Sequence, residues 1–173
     1  MTSPRRFALP AAALLGVALC GCAAVSTGPT ATATLEARSN SRVAGSVSFA
    51  QVGDGVRVAV RASGLKPNAE HGFHVHEKGD CSSPDGMSTG GHFNPTGQPH
   101  GPQHAAHHAG DMPGPKADAD GKVDTSFTLA GVTLSPGPSS LMGRGVIVHA
   151  DPDDYRTQPT GNSGARIACG VIR

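Results

Sequence analysis

The 173-residue chain is one domain's worth of sequence, and its 24 Gly and 14 Pro beside a single Tyr and no Trp exclude long helices and favour a turn-rich, all-β class. A formal charge of +1 with no basic run and no aromatic stacking platform excludes nucleic acid as a partner, because phosphate binding needs clustered Lys and Arg. The outlier is His: nine in all, eight of them between His71 and His108, and so dense a set of imidazoles points to metal.

In chain order, Arg5 and Arg6 precede an apolar run over residues 7–19, too short to span a bilayer comfortably, which reads as an export signal. Leu19-Cys20-Gly21-Cys22 then resembles a bacterial lipobox. Residues 1–21 are therefore expected to be a lipoprotein-type signal peptide, with Cys22 as the lipid anchor to a membrane. The other reading is an ordinary signal peptide cut near Ala23 or Ala24. Either way the protein is exported, to the periplasm or cell envelope. Residues 22–41 are mostly Ala, Thr, Ser, Gly and Pro without an apolar period and are expected to form a flexible tether; residues 42–173 are expected to form the domain. Once signal and anchor are set aside, Cys81 and Cys169 remain, an even pair in an oxidising compartment, so one disulfide is expected. Closing so long a loop stabilises by about 4 kcal/mol in the chain-entropy model.

Val43, Val47 and Phe49 alternate with Ala44, Ser46, Ser48 and Ala50, and Val56, Val58 and Val60 alternate with Arg57, Ala59 and Arg61 across Gly53-Asp54-Gly55; this predicts a β-hairpin. Further strands are predicted over residues 71–76, 122–129, 145–150 and 166–172, each bounded by turn residues. Between them, residues 77–117 are rich in Gly, Pro, His and Asp with no period of either kind, far longer than an unstructured loop normally runs. Metal coordination and the Cys81 bridge are the expected organisers. Residues 151–164 form a second long segment that can cover the same site. Asp118-Ala119-Asp120-Gly121 has the wrong spacing of acids for a calcium loop and reads as a turn.

Within the strand at 71–76, alternation points His74 and His76 to one side and Phe73 and Val75 to the other. The run Gly72-Phe73-His74-Val75-His76-Glu77-Lys78-Gly79-Asp80-Cys81 is followed by Gly91-His92-Phe93-Asn94-Pro95, His100-Gly101 and His108-Ala109-Gly110-Asp111. Gly143-Arg144, His149, Asp153-Asp154, Gly161-Asn162 and Arg166 through Cys169-Gly170-Val171-Ile172 come after. In order and spacing these resemble the copper and zinc superoxide dismutase family over roughly residues 43–173.

That resemblance implies an eight-stranded Greek-key β-barrel or sandwich with long metal-binding and electrostatic loops. It implies one copper per subunit on His74, His76, His92 and His149, and one zinc on His92, His100, His108 and Asp111, with His92 shared. Four imidazoles suit copper in both oxidation states; three imidazoles and a carboxylate close a tetrahedron on redox-silent zinc. The implied reaction turns two superoxide anions and two protons into oxygen and hydrogen peroxide, with His92 carrying a proton and Arg166 attracting and orienting the anion. Electrostatic steering in superoxide dismutase is a standard example of the principle. Thr160 is implied to narrow the channel, Asp153 to bond the ligands His74 and His100, and Cys81 and Cys169 to form the family's disulfide. His71, His104 and His107 are left over, and His107 competes with His108 for zinc by a one-residue slip. Lys78 matches no steering lysine firmly. Monomer and homodimer stay open. The rival readings are a non-catalytic copper and zinc buffer of the envelope and an inactive relative kept for its structure.

Overall fold

The computed structural model describes residues 28–173. The expected signal peptide and Cys22 lie outside the described residues.

Among the described residues, seven antiparallel strands form one sheet: β1 (Thr30–Ala37), β2 (Ala44–Val52), β3 (Gly55–Ser63), β4 (Phe73–His76), β5 (Val123–Ala130), β6 (Gly145–His149) and β7 (Arg166–Val171), in the spatial order β4-β6-β7-β1-β2-β3-β5. The consecutive strands β3 and β4 lie near opposite ends of that order, the crossover expected of a Greek key. The two edges meet: Phe73 on β4 and Phe127 on β5 pack edge to face with ring centroids 6.5 Å apart, so the sheet curls around its core. Val47 and Phe49 of β2, Val56, Val58 and Val60 of β3, Val75 of β4 and Val146 and Val148 of β6 are all buried inside it, alternating as the pleat requires.

Two expectations are corrected. The segment expected to be a tether contains β1, which pairs with β2 from Thr30↔Ala50 to Leu35↔Gly45 and with β7 at Glu36↔Cys169 and Ala37↔Ala168. Its inward residues are Ala31, Ala33 and Leu35, and it fills the seam that joins the two halves of the sheet. The strand count is seven where eight were expected. The stretch after Asp111 runs beside the chain before β4 in ladder fashion, with His71 N–H donating to the Pro115 carbonyl and Ala117 N–H to the Ala69 carbonyl. Pro113 and Pro115 have no N–H to give, so only the single bridge Glu70↔Lys116 forms.

Candidate metal centre

β4 and β6 deliver three of the imidazoles. They pair with His74 opposite Ile147 and His76 opposite Gly145, and both strands are buried on both faces. Phe73 and Val75 enter the core, whereas His74, His76 and His149 lie under the long loops. The free edge of β4 is taken by two pieces of the 77–122 loop. Phe93 N–H donates to the Val75 carbonyl and Val75 N–H to the Gly110 carbonyl, each at 2.8 Å. These bonds set His92 beside His76 and Asp111 beside His74.

The loop is fastened at several points. Cys81 and Cys169 form a disulfide with Cα atoms 5.8 Å apart, tying it to β7. Arg144 lies 3.5 Å over the Phe93 ring and donates to the Glu77 carbonyl at 2.9 Å, so one guanidinium grips both ends of the segment between His76 and His92. Arg38, just after β1, donates from Nε to the Cys81 carbonyl at 2.9 Å.

Two donor sets result. His74, His76, His92 and His149 present ligand atoms within 4.8 Å of one another. In each, one ring nitrogen is buried with no hydrogen-bond partner: His74 Nδ1, His76 Nε2, His92 Nε2 and His149 Nε2. The other nitrogen of three of them is occupied. His74 Nε2 donates to Asp153 Oδ2 at 2.6 Å, His76 Nδ1 to the Gly90 carbonyl at 3.0 Å and His149 Nδ1 to the Gly164 carbonyl at 3.2 Å. Donation on one side leaves a bare lone pair on the other, which is how proteins prepare imidazoles for metal. Four converging buried lone pairs fit a copper ion.

His92 differs. Its Nδ1 lies 2.9 Å from Asp111 Oδ1 and 3.4 Å from His108 Nδ1, so its two nitrogens face two sets. In the second, Asp111 Oδ1 is also 3.0 Å from His100 Nδ1 and 3.4 Å from His108 Nδ1. The Asp111 carboxylate is aimed by the Gly101 and His108 N–H groups, which donate to Oδ2 at 3.1 and 2.9 Å. Three Nδ1 atoms around one carboxylate oxygen fit zinc. The group whose ligand atoms all lie within 4.8 Å of one another here is His74, His92, His100 and Asp111, without His108. His108 Nδ1 stands 3.4 Å from both Asp111 Oδ1 and His92 Nδ1, and His74 Nε2 is engaged by Asp153.

Asp153 stands between the sets, accepting from His74 and, through Oδ1, from His100 Nε2 at 2.9 Å. Burial pushes His149 down to about 3, helped by its neighbour His74. It pushes His92 down to about 4 against the pull of Asp111, and puts His76 well below its ordinary value. His100 moves the other way: burial opposes its proton, but Asp111 and Asp153 outweigh that and raise it to about 9. Both carboxylates are held well below the usual range by their imidazole partners, which overcome burial.

Arg166 is half-buried, and its charge is felt at both His76 and His149. Its Nη1 donates to the Thr89 hydroxyl at 2.8 Å and the Gly86 carbonyl at 3.0 Å. Thr160 is exposed, its carbonyl accepting from Ser163 at 3.4 Å. The surplus His residues fall outside both sets: His71 is buried and donates from Nδ1 to the His149 carbonyl at 2.7 Å, His104 is exposed, and His107 donates to the Ala105 carbonyl at 2.7 Å. Sequence reasoning missed Thr89, Tyr155 and Gln158, whose partners lie dozens of residues away.

Comparison with known proteins places the chain in a family. The family model for copper/zinc superoxide dismutase matches residues 43–172. Two superoxide dismutases of Aquifex aeolicus are 43% identical over 138 residues and 42% over 136, spanning 76% and 75% of this chain and 80% and 79% of theirs. The solved structure of a SOD-like protein from Bacillus subtilis superposes with a TM-score of 0.74 at 38% identity, covering 80% of this chain and 95% of its own. The chain belongs to the copper/zinc superoxide dismutase family.

Proposed function

We propose that the chain dismutates superoxide at a copper held by His74 Nδ1, His76 Nε2, His92 Nε2 and His149 Nε2, beside a zinc held by Nδ1 of His92, His100 and His108 and by Asp111 Oδ1. The family's enzymes use copper and zinc, and the observation that carries the residue assignment is the set of four buried lone pairs that have no other partner. Bound there, copper would supply one-electron chemistry, taking an electron from one superoxide and giving it to a second, so that two anions and two protons yield oxygen and hydrogen peroxide.

The residues supply the rest. Burial keeps His76, His92 and His149 neutral, so their lone pairs are available without removal of a proton. His92 Nε2 is the site that holds a proton between the two half-reactions and passes it to the anion leaving as peroxide, while Asp111 at its Nδ1 keeps the ring in place. Arg166, restrained by Thr89 and Gly86, presents a fixed positive charge that draws in and orients a small anion. Thr160 is read as narrowing the approach. Zinc would hold His92 and tune its basicity.

The test is superoxide decay by the purified chain from residue 28 onward, reconstituted with copper and zinc, beside His149→Ala and a metal-free sample. Fast copper-dependent decay that collapses in His149→Ala is expected; stoichiometric metal uptake without turnover would instead make the chain an envelope metal buffer.

The disulfide accords with export, and we place the protein in the periplasm or cell envelope with Cys22 as its lipid anchor. Labelling cells with a lipid precursor should mark the wild type and not Cys22→Ala; an unlabelled wild type ends the anchor reading.

A further inference from the structure

His74, His76 and His149 ride on strands, but His100 follows Pro99 and precedes Gly101-Pro102 in a stretch without regular structure. The next residue, Gly101, is held through its N–H by Asp111 Oδ2 at 3.1 Å, but the bonds to the N–H and carbonyl of His100 itself are made elsewhere. The fixing comes from 58 residues away. The His100 N–H donates to Gln158 Oε1 at 2.8 Å, and Gln158 Nε2 donates back to the His100 carbonyl at 2.8 Å. These are the two bonds that a residue in an antiparallel ladder exchanges with its partner, here made by one amide side chain.

The same loop holds the ring. Asp153 Oδ1 accepts from His100 Nε2 at 2.9 Å, and Tyr155 lies parallel to the imidazole, 3° between planes and 6.4 Å between centroids. The Tyr155 hydroxyl accepts from the Gly114 N–H at 2.9 Å, joining the loop to the chain just past Asp111. The turn that leads into Gln158 is fixed by Asp154. Asp154 Oδ1 accepts from the Arg156 and Thr157 N–H groups at 2.9 and 2.8 Å, and its Oδ2 from the Thr157 hydroxyl at 2.6 Å. Gln158 faces solvent on its far side while His100 is buried, so the amide clips a buried ligand from the rim.

We infer that Gln158 is a positioning residue for the zinc site: by clamping the His100 backbone it sets the direction of Nδ1, and so the affinity for zinc, without touching the metal. This rests on the reading of His100 as a zinc ligand. An unclamped His100 must be ordered when zinc binds, and that cost lowers affinity.

The test titrates the metal-free chain with zinc against a chromophoric chelator. Gln158→Met keeps the length of the side chain and loses both bonds; its zinc dissociation constant is expected to rise about tenfold, the range found for groups that orient ligands. The visible absorption of copper in its own set and the melting midpoint of the metal-free chain should stay put. Unchanged zinc affinity in Gln158→Met overturns the inference, as does a metal-free midpoint that falls while zinc affinity holds. His100→Ala separates the two levels: if it binds zinc as the wild type does, the zinc-site reading fails, whereas loss of zinc in His100→Ala with none in Gln158→Met sinks only the clamp.

Discussion

Arg166 Nη1 donates to the hydroxyl of Thr89 across 2.8 Å, although 77 residues separate them in the chain. Thr89 is wholly buried and closes a single 3-10 turn, Met87–Thr89, where its own hydroxyl donates to the Gly86 carbonyl at 2.8 Å. The disulfide ties the same loop to Cys169, three residues beyond Arg166. The guanidinium proposed to meet the anion is therefore aimed by a threonine.

Thr89→Val keeps the shape and removes the hydroxyl. A hydrogen bond to a charged donor is worth about 1.5 to 3 kcal/mol, but Gly86 still restrains the side chain. The expected result is a fall of about three- to tenfold in kcat/KM for superoxide, with copper absorption unaltered. An unchanged rate would mean that Gly86 and packing alone aim Arg166.

Asp153→Asn tests the link between the two sets. The carboxylate accepts from His74 on Oδ2 and from His100 on Oδ1, which also takes the Tyr155 N–H at 2.7 Å, and an amide has an acceptor oxygen for only one of the two imidazoles. In the proposed sets copper would keep three further imidazoles beside His74, whereas zinc would lose the support of one of only three. Zinc affinity should drop by about 10- to 100-fold and copper affinity by much less, measured by competitive titration of each metal; equal losses would refute the asymmetry.

Much of this was legible in the sequence, and the failures have physical causes. The β2–β3 hairpin announced itself through Val and Phe alternating with Ser, Ala and Arg around Gly53-Asp54, and the paired strands meet there. The convergence of His74 and His76 in one buried group was legible because imidazoles two apart on a strand share a face. β1 was not, because its inward residues Ala31 and Ala33 scarcely contrast with the Thr residues between them, and only pairing on both sides makes the segment a strand. The missing eighth strand traces to Pro113 and Pro115. Thr89, Tyr155 and Gln158 carry no local pattern at all: their roles exist only once loops distant in sequence are folded together.

Gly161 marks how tightly the 151–164 loop is laid on the zinc side. Its φ is +66, and a Cβ there would stand 2.6 Å from His100 Nε2 and closer still to the Asp153 carboxylate, in the path of the bond between them. Gly131 has a similar φ of +72, and a Cβ added to it would meet nothing within 4 Å. Gly131→Ala therefore isolates the left-handed strain, about 1 kcal/mol, while Gly161→Ala adds a collision that must push His100 and Asp153 apart. Denaturant unfolding should show the larger loss in Gly161→Ala, accompanied by weakened zinc binding. Matching losses with zinc affinity intact would show that the loop yields without disturbing the ligand.

The buried imidazoles also set how the metal-free chain responds to acid. Burial lowers His92 to about 4 and His149 to about 3, against an ordinary unfolded value of about 6.5. Between those limits the unfolded chain binds protons that the folded chain refuses, so unfolding is favoured as pH falls and stability rises with pH. Each of the two groups contributes a slope of up to about 1.4 kcal/mol per pH unit in that window. His100 has the opposite sign but a different range: raised to about 9, it is protonated in both states below about 6.5, so its contribution is full there and is lost only as pH climbs towards 9. Below about 4 the depressed Asp111 and Asp153 add to the acid loss, since the unfolded carboxylates take up protons first. Denaturant midpoints of the metal-free chain should thus be highest near neutrality and fall steeply from about pH 6.5 to 4. His74 and His76, also lowered by burial, act in the same direction. His149→Phe, which removes one of these four imidazoles, should make that limb shallower; a slope unmoved by the substitution would place the acid sensitivity elsewhere in the molecule.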